Sequence, residues 1–319
     1  MKNLVITFSR KSPSGKPFEF DEDTQMYTVF YRLFDLLVDN GLNIYICRDI
    51  NNIISSQEYN TLGKYTKEGH FVSQSEKIIA DIVWDRTNLY GFPLPKNKLP
   101  VDILNSMEFK LISGDKWLSY MYYKQYSPKT IYLGDLTQMD DYISEIPGDK
   151  YVIKPINSFG GKGVACFEKT DREGVSKYLL DRNVTNGQYL IQEFCDVSTG
   201  ISGLVEGVHD MRIISTNNKI IFAYIRKPSN TKEFRSNYSV GGTMQQVEID
   251  KLPSEIVSFV TPIIKDAYED YNNPLFSIDL FMTKSGPKLI EITGAGVGLP
   301  TPDMDLTSFY QDLVERFTK

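Results

Sequence analysis

The chain has 319 residues, of which 41% are hydrophobic and 24% are charged, and its formal net charge is −6. This length and composition predict an ordinary globular protein with two or three packed lobes. The acidic balance argues against a nucleic acid partner, which would favour a basic surface. No apolar run approaches the roughly 20 residues that a membrane helix needs. We therefore expect a cytoplasmic protein with no membrane partner.

Cysteine and histidine are too sparse to form a metal site, a disulfide framework or a catalytic triad. The cysteines are Cys47, Cys166 and Cys195, an odd set without the CxxC spacing of a zinc site or the pattern of a disulfide framework. His70 and His209 are the only histidines, which disfavours a histidine-based metal site or catalytic triad. The sequence therefore indicates buried, reduced thiols.

The first part of the chain alternates strand-like and helix-like patterns. Apolar residues from Met26 to Leu37 recur at helical spacing, and Asn40-Gly41 is a typical helix stop. The alternation predicts a parallel, doubly wound α/β lobe over residues 1–112. Residues 51–79 are polar and weakly periodic, and no element is assigned to them. The elements predicted here are strands over 4–8, 43–47 and 80–84, and a helix over 26–37.

Beyond a candidate boundary between residues 100 and 113, the patterns are those of two α+β lobes, over 113–196 and 197–319. Turn residues at 216–218 and 285–287 predict two β-hairpins. The predicted helices are 116–126, 171–180, 252–271 and 305–317, and the predicted strands are 151–154, 164–167, 189–194, 211–215, 219–225, 276–282 and 288–292.

A lysine at a strand end, Lys154, is followed by the glycine-rich loop Gly160-Gly161-Lys162-Gly163. Glycines let backbone N–H groups approach an anion closely, and lysines add point charges for phosphate oxygens. The spacing is neither the Walker A motif nor GxGxxG. The loop therefore indicates phosphate binding, with a plain hairpin bend as the alternative.

Two carboxylates, Asp279 and Glu291, lie between apolar neighbours in the two strands of a predicted hairpin. Period-2 alternation puts both on the face opposite those neighbours. They repel each other unless a cation lies between them, and Mg²⁺ prefers a few carboxylates with water and phosphates. The pair predicts a metal site, with a solvent-facing acidic pair as the alternative.

Arginines occur in three further places. Arg226-Lys227 and the stretch Phe234-Arg235-Ser236-Asn237 precede Gly241-Gly242, and Asp210-x-Arg212 opens a strand. Arginine can hold phosphate or carboxylate in a fixed geometry. A solvated basic loop and a surface ion pair are the alternatives.

The order of these elements resembles the ATP-grasp superfamily, in the branch of bacterial glutathione synthetase and the RimK-type ligases. The stretch from Glu233 to Gly242 is similar to the RimK-type motif, and Ile82 to Arg86 resembles the N-terminal-lobe strand that ends in an arginine. The similarity covers residues 82–302 and is specific from Tyr151 onward. It implies an ATP-grasp fold behind an N-terminal, doubly wound pre-ATP-grasp lobe.

The resemblance also implies roles for individual residues. Arg226 and Arg235 would be catalytic, and Asp279, Glu291 and Thr293 would hold one or two Mg²⁺ ions, with Mn²⁺ as an alternative. Substrate contacts would come from Arg86, Arg226, Gly241 and Gly242. The residues expected to bind ATP are Lys116, Lys154, Gly160, Gly161, Lys162, Gly163, Gln192, Glu193, Phe194, Asp210, Arg212, Arg235, Ser236 and Asn237.

One position departs from the family pattern. The family usually has Glu-x-Asn at the metal site, whereas this chain has Glu291-Ile292-Thr293. A threonine hydroxyl is a shorter and weaker ligand than an amide oxygen, so a second metal would be held loosely or through water.

The implied activity is an ATP-dependent ligation of a small-molecule or peptide carboxylate to an amine, through an acylphosphate and with release of ADP and phosphate. A small-molecule kinase on the same scaffold and a nucleotide-binding pseudoenzyme are the alternatives. The sequence does not indicate which acid and amine are used, and the resemblance leaves a homo-oligomer open.

Overall fold

The computed structural model describes residues 1–8, 18–20, 25–55, 57–67, 69–87, 102–158, 160–228 and 241–319, with the backbone alone described at 25–27 and 50. The helices are α1 (Gln25–Asp39), α2 (Met107–Gly114), α3 (Lys116–Tyr122), α4 (Met139–Glu145), α5 (Arg172–Asp181), α6 (Ser254–Asp270) and α7 (Thr307–Thr318). The strands are β1 (Lys2–Phe8), β2 (Leu42–Cys47), β3 (Glu58–Tyr59), β4 (Leu62–Tyr65), β5 (Phe71–Gln74), β6 (Ile78–Ile79), β7 (Ile82–Arg86), β8 (Asp102–Leu104), β9 (Thr130–Tyr132), β10 (Lys150–Pro155), β11 (Ala165–Glu168), β12 (Tyr189–Glu193), β13 (Asp210–Thr216), β14 (Lys219–Lys227), β15 (Thr243–Gln246), β16 (Phe276–Thr283) and β17 (Gly286–Thr293).

The N-terminal sheet has the order β5-β4-β2-β1-β7-β8. Its strands β2, β1, β7 and β8 are parallel, which confirms the predicted parallel sheet. The stretch 51–79, unassigned from the sequence, supplies β4 and β5, which extend the sheet antiparallel, and the small β3–β6 pair. The third predicted strand begins at Ile82 rather than Ala80, because Ala80 donates its N–H to the Gln57 carbonyl (2.9 Å) instead.

The central sheet is antiparallel, in the order β11-β10-β12-β9. Tyr151 and Ile153 of β10 and Ile191 of β12 point into a core that includes Val175 of α5. Since side chains alternate along a strand, Lys154 lies on the opposite face of β10. The fold thereby places this lysine on the side away from the core of its own lobe.

The C-terminal sheet has the order β15-β14-β13-β16-β17 and is also antiparallel. The apolar stripe of α6, which includes Ile256 and Val260, packs with Ile213 and Ile278 of the sheet. The polar residues of the same strands alternate to the other face. Asn217 and Asn218 both have positive φ (54° and 55°), as a tight hairpin turn between β13 and β14 requires.

The N-terminal lobe and the C-terminal sheet share one hydrophobic core. Trp84 of β7 contacts Phe317 of α7, with ring centroids 5.3 Å apart. Asn105, buried at 1% exposure, donates to the carbonyls of Leu275 (2.9 Å) and Gly294 (2.6 Å). The core of the central lobe is a separate cluster. The N-terminal lobe is therefore fixed to the C-terminal sheet by packing and hydrogen bonds.

The predicted helix over 116–126 is interrupted. Helix α3 ends at Tyr122, and a 3₁₀ turn covers Lys124–Tyr126. The following Pro128 disfavours helical geometry at the residue before it, which is extended. Helices α2 and α4 and strands β8, β9 and β15 were not predicted. Among the described helices, none combines the length and apolar character that spanning a membrane demands.

Candidate active site

A cleft of about 150 Å³ opens between the central sheet and the C-terminal sheet. Its walls come from β10, β12, β16, β17, the start of α3 and the glycine loop. The lining residues are Lys116, Val152, Lys154, Ser158, Gly160, Gly161, Val164, Gln192, Glu193, Phe194, Cys195, Asp196, Val197, Val208, Asp210, Arg226, Asp279, Phe281, Ile290 and Glu291. The structure thus brings most of the sequence-predicted site residues to one cavity.

The two predicted phosphate lysines enter the cleft from different elements. Lys154, at 6% exposure, donates to Gln192 Oε1 (2.9 Å). Burial, and then the nearby charge of Lys116, lower the pKa of Lys154 to about 8, while Glu291 opposes this shift. Lys116 donates to the Ser158 carbonyl, and its Nζ lies 3.3 Å from Glu291 Oε1. The cleft therefore holds two close ammonium groups, an arrangement that an anion would stabilise.

The glycine loop has the backbone that its composition predicts. Gly160, Gly161 and Gly163 have φ of 67°, 70° and 70°, where side chains other than glycine are strained. Gly160 and Gly161 line the cleft, whereas Lys162 is exposed and Gly163 lies outside the lining. The Tyr178 hydroxyl of α5 donates to the Gly163 carbonyl (2.6 Å).

An apolar wall completes the cleft, and sequence reasoning missed it. It is formed by Val152, Val164, Val197, Val208, Phe281 and Ile290, beside the predicted Phe194. Cys195 also lines it, and burial raises the pKa of this thiol to about 12, so the thiol is protonated at neutral pH. Val152 lies two residues before Lys154, so strand alternation could have found it.

A chain of charged side chains adjoins the cleft: Asp210, Arg226 and Asp279 line it, whereas Arg212, also predicted to bind ATP, does not. Arg212 donates through Nε and Nη2 to the two oxygens of Asp279 (both 2.6 Å). Arg226 donates through Nη2 to Asp279 Oδ2 (2.7 Å) and through Nε to Asp210 Oδ1 (2.5 Å). Burial alone would raise the pKa of Asp279, but Arg212 and Arg226 outweigh it and lower this pKa to about 2. Burial raises the pKa of Asp210, against the charge of Arg226.

The carboxylates fit one Mg²⁺ ion. Asp279 and Glu291 are register partners on β16 and β17, so both face the cleft. Asp279 Oδ1 accepts one hydrogen bond from the described residues and keeps lone-pair capacity, and Mg²⁺ commonly takes one or two carboxylates plus phosphates and water. Thr293 is opposite Ser277, is buried at 6% exposure and does not line the cleft. In the described part of the chain, no three His, Cys, Asp or Glu side chains form a metal cluster.

The remaining predicted residues lie elsewhere. Arg86 donates through Nη2 to the Val297 carbonyl (3.3 Å), and its guanidinium lies over the Phe30 and Trp84 rings. Gly241 and Gly242 precede β15 and are not among the lining residues. Arg235, Ser236 and Asn237 lie outside the described residues.

Comparison with known proteins identifies the domain that contains most of this cleft. Residues 116–268 match the family model of the prokaryotic glutathione synthetase ATP-grasp domain. The uncharacterized protein MG011 of Mycoplasma genitalium is 24% identical over 246 residues, covering 75% of this chain and 76% of that protein. A probable alpha-L-glutamate ligase of Vibrio atlanticus is 27% identical over 171 residues, covering 53% of this chain and 50% of the ligase.

Solved structures show the same fold. The VanG D-Ala:D-Ser ligase of Enterococcus faecalis superposes with a TM-score of 0.62 at 10% identity, over 100% of this chain and 99% of that one. At this identity the likeness concerns the fold alone, and it includes the N-terminal lobe. The family model, the relatives and the solved structures all indicate an ATP-grasp domain. Residues 116–268 therefore carry an ATP-grasp domain of the prokaryotic glutathione synthetase type, and the chain is similar to ATP-dependent ligases that include probable alpha-L-glutamate ligases and glutathione synthetase.

Proposed function

We propose that this protein joins a carboxylate to an amine through an acylphosphate, with release of ADP and phosphate. One observation carries the proposal: Lys116 and Lys154 share a single cleft with Asp279 and Glu291. Cations on one side and carboxylates on the other suit a triphosphate with its metal ion. Phosphoryl transfer asks the protein mainly for positioning and charge neutralisation.

In this proposal the nucleotide phosphates lie against Lys116, Lys154 and the backbone of Gly160 and Gly161, under a lid that Lys162 and Gly163 continue. The base lies on the apolar wall beside Phe194, at the backbone of Glu193. Asp210 lies near the ribose. Gln192 holds Lys154, and Arg235, Ser236 and Asn237 would bind the nucleotide phosphates and the acyl phosphate, the role that the family resemblance implies for them.

Asp279 and Glu291 would hold the Mg²⁺ ion, with Mn²⁺ as a substitute. When bound, the ion would neutralise negative charge on the nucleotide phosphates. Since Thr293 lies outside the cleft lining, a second ion would need water between it and the threonine hydroxyl. Arg212 keeps Asp279 charged and fixes its orientation.

The proposed reaction has two steps. A carboxylate oxygen of the acid attacks the γ-phosphorus of ATP, and the bond to ADP breaks. The amine nitrogen then attacks the acyl carbon, phosphate leaves with the bonding pair, and the nitrogen loses a proton. Arg226 donates through Nε and Nη2 to described residues, and we assign its Nη1 to the acid substrate and to the negative charge that develops on it. Arg86, Gly241 and Gly242 would contact the substrates.

The test is phosphate release from Mg-ATP with a panel of acids and amines. The panel includes L-glutamate, D-alanine and D-serine, because relatives are named for these amino acids. We expect phosphate release to depend on both an acid and an amine, with an amide product found by mass spectrometry. A phosphorylated product formed without an amine would indicate a kinase instead, and ATP binding without turnover on any panel member would contradict the ligase proposal.

A further inference from the structure

Three side chains form a row across the central sheet: Thr130 on β9, Gln192 on β12 and Lys154 on β10. Gln192 is the register partner of Thr130 on one side and of Val152 on the other. Lys154 lies two residues beyond Val152, so it is diagonal to Gln192 on the same face. Gln192 and Lys154 line the cleft, whereas Thr130, at 4% exposure, does not. The row thus connects a residue outside the cleft to a cation inside it.

The hydrogen bonds along this row have a fixed direction. The Thr130 hydroxyl donates its single proton to the Pro128 carbonyl (3.0 Å), so it can only accept from Gln192 Nε2 (2.7 Å). The amide of Gln192 then presents its oxygen to the Lys154 ammonium, which has only donors. Both ends of the row therefore require the same orientation of the amide.

We propose that Thr130 is a positioning residue for Lys154: its hydroxyl fixes the amide of Gln192 so that an oxygen, and never the N–H₂ group, faces the ammonium. This inference rests on the proposed role of Lys154 in nucleotide binding. Thr130 would act on nucleotide affinity without touching the nucleotide.

The charge state of Lys154 depends on the orientation of the Gln192 amide, because burial and Lys116 already disfavour the charged form. Burial and the charge of Lys116 lower the pKa of Lys154 to about 8, while Glu291 opposes this shift. Gln192 Oε1 is the acceptor that the described residues supply to it. A turned amide would place two N–H donors against the ammonium and favour its neutral form. A neutral lysine no longer attracts phosphate.

The experiment compares Thr130→Val with Thr130→Ser in two backgrounds, the natural chain and Gln192→Glu. The affinity for a non-hydrolysable Mg-ATP analogue is measured by calorimetry between pH 6.5 and 8.5. In the natural background we expect Thr130→Val to weaken binding of the analogue roughly tenfold, because the charge-assisted hydrogen bond between Gln192 and Lys154 is lost. Thr130→Ser keeps the hydroxyl and should bind the analogue as the natural chain does. The loss should grow with pH, while kcat at saturating ATP changes little.

A carboxylate at position 192 presents an oxygen whichever way it turns. In the Gln192→Glu background we therefore expect Thr130→Val to change the affinity less than about twofold. Equal losses in the two backgrounds would show that Thr130 acts only through the general fold, and would overturn the inference. Should the valine variant not fold, Thr130→Cys gives the same comparison with a weaker hydrogen-bonding group.

The Lys154→Met variant separates this inference from the proposed function. If Lys154→Met leaves the affinity for the analogue unchanged, the nucleotide role of Lys154 fails. If Lys154→Met weakens binding but the two backgrounds respond equally to Thr130→Val, the positioning role alone fails.

Discussion

At the scale of single residues, the most informative side chain is Asp279. It binds two guanidinium groups and, in the proposed function, a metal ion as well. Glu291, its register partner, has a single ion pair with Lys116 among the described contacts. The sequence predicted the same role for both carboxylates. In the structure Asp279 also neutralises the charges of Arg212 and Arg226.

This difference predicts different outcomes for two matched substitutions. Asp279→Asn leaves two buried arginines short of one negative charge, so it should lower the free energy of unfolding by about 3 kcal/mol and abolish turnover. Glu291→Gln should lower turnover by orders of magnitude with an unfolding free energy within about 1 kcal/mol of the natural chain. Urea denaturation and amine-dependent phosphate release measure the two effects. Unchanged turnover in both variants would reject the metal assignment.

The lowered pKa of Lys154 predicts a pH dependence of nucleotide binding. The folded-state pKa of about 8 lies below the usual 10.5, so the free protein loses this proton near pH 8. Affinity for Mg-ATP should therefore fall between pH 7 and 9, by up to about tenfold per pH unit. Between pH 8 and 10.5 the unfolded chain binds more protons, so this group's contribution to stability rises with pH. Lys154→Arg keeps the charge and should flatten the binding profile; a flat profile in the natural chain would contradict the prediction.

At the scale of elements, the glycine loop depends on the helix that follows it. The Tyr178 hydroxyl of α5 donates to the Gly163 carbonyl, and a Cβ at Gly163 would lie 2.8 Å from Pro155 Cγ. The end of the loop is thus held between β10 and α5, while Gly160 and Gly161 reach into the cleft. In the proposed function this loop would be a lid, which would protect the acylphosphate from water when it closes.

Tyr178→Phe tests this attachment. Removing one hydroxyl should raise KM for ATP several-fold and increase phosphate release in the absence of an amine, because the lid closes less completely. The matched control is Tyr132→Phe in the same lobe, where the hydroxyl donates to the Gly187 carbonyl (3.3 Å) far along the chain from the lid. Steady-state kinetics with and without the amine give both quantities. Identical kinetics in the two variants would exclude a lid function for Tyr178.

At the scale of the whole molecule, the N-terminal lobe and the C-terminal sheet form one packed body around a common core. Asn105 links them with hydrogen bonds to the two chain segments at the open end of the β16–β17 hairpin: it accepts from the Leu275 N–H (3.0 Å) and donates to the Leu275 and Gly294 carbonyls. Its φ of 64° is one that asparagine tolerates better than most residues. The cleft lies between this body and the central lobe. The lobe boundaries after residues 112 and 196 stay predictions.

Asn105→Ala should therefore destabilise the protein strongly. Three buried backbone groups, the Leu275 N–H, the Leu275 carbonyl and the Gly294 carbonyl, would lose this partner, at about 3 kcal/mol in total. Asn40→Ala is the control, because Asn40 makes one exposed hydrogen bond, to the Leu36 carbonyl (2.8 Å). That variant should cost less than about 1 kcal/mol. Equal unfolding free energies for the two variants in urea would contradict a linking role for Asn105.

The sequence by itself determined the long elements and the order of the chemical motifs. The β16–β17 hairpin, whose first strand is buried on both faces over residues 276–280, was predicted from its apolar runs and the turn residues at 285–287. Periodicity works for α1 and α6 because each buries one face over many residues. It fails for β3 to β6, which have two to four residues each and are too short to show a period. The lysine, the glycine loop and the paired carboxylates were predicted because the residues of each motif lie close together in the sequence.

Only the tertiary structure decided which of these groups meet. Arg212 and Asp279 are 67 positions apart, and Arg226 and Asp279 are 53 apart, so their pairing depends on the strand order of the sheet. The apolar wall of the cleft likewise draws on separate elements that each look like ordinary core. Local patterns report which face of an element is buried, whereas the contacts between faces depend on how whole sheets and helices pack. That is why the buried charge network and the row from Thr130 to Lys154 could not be predicted from the sequence.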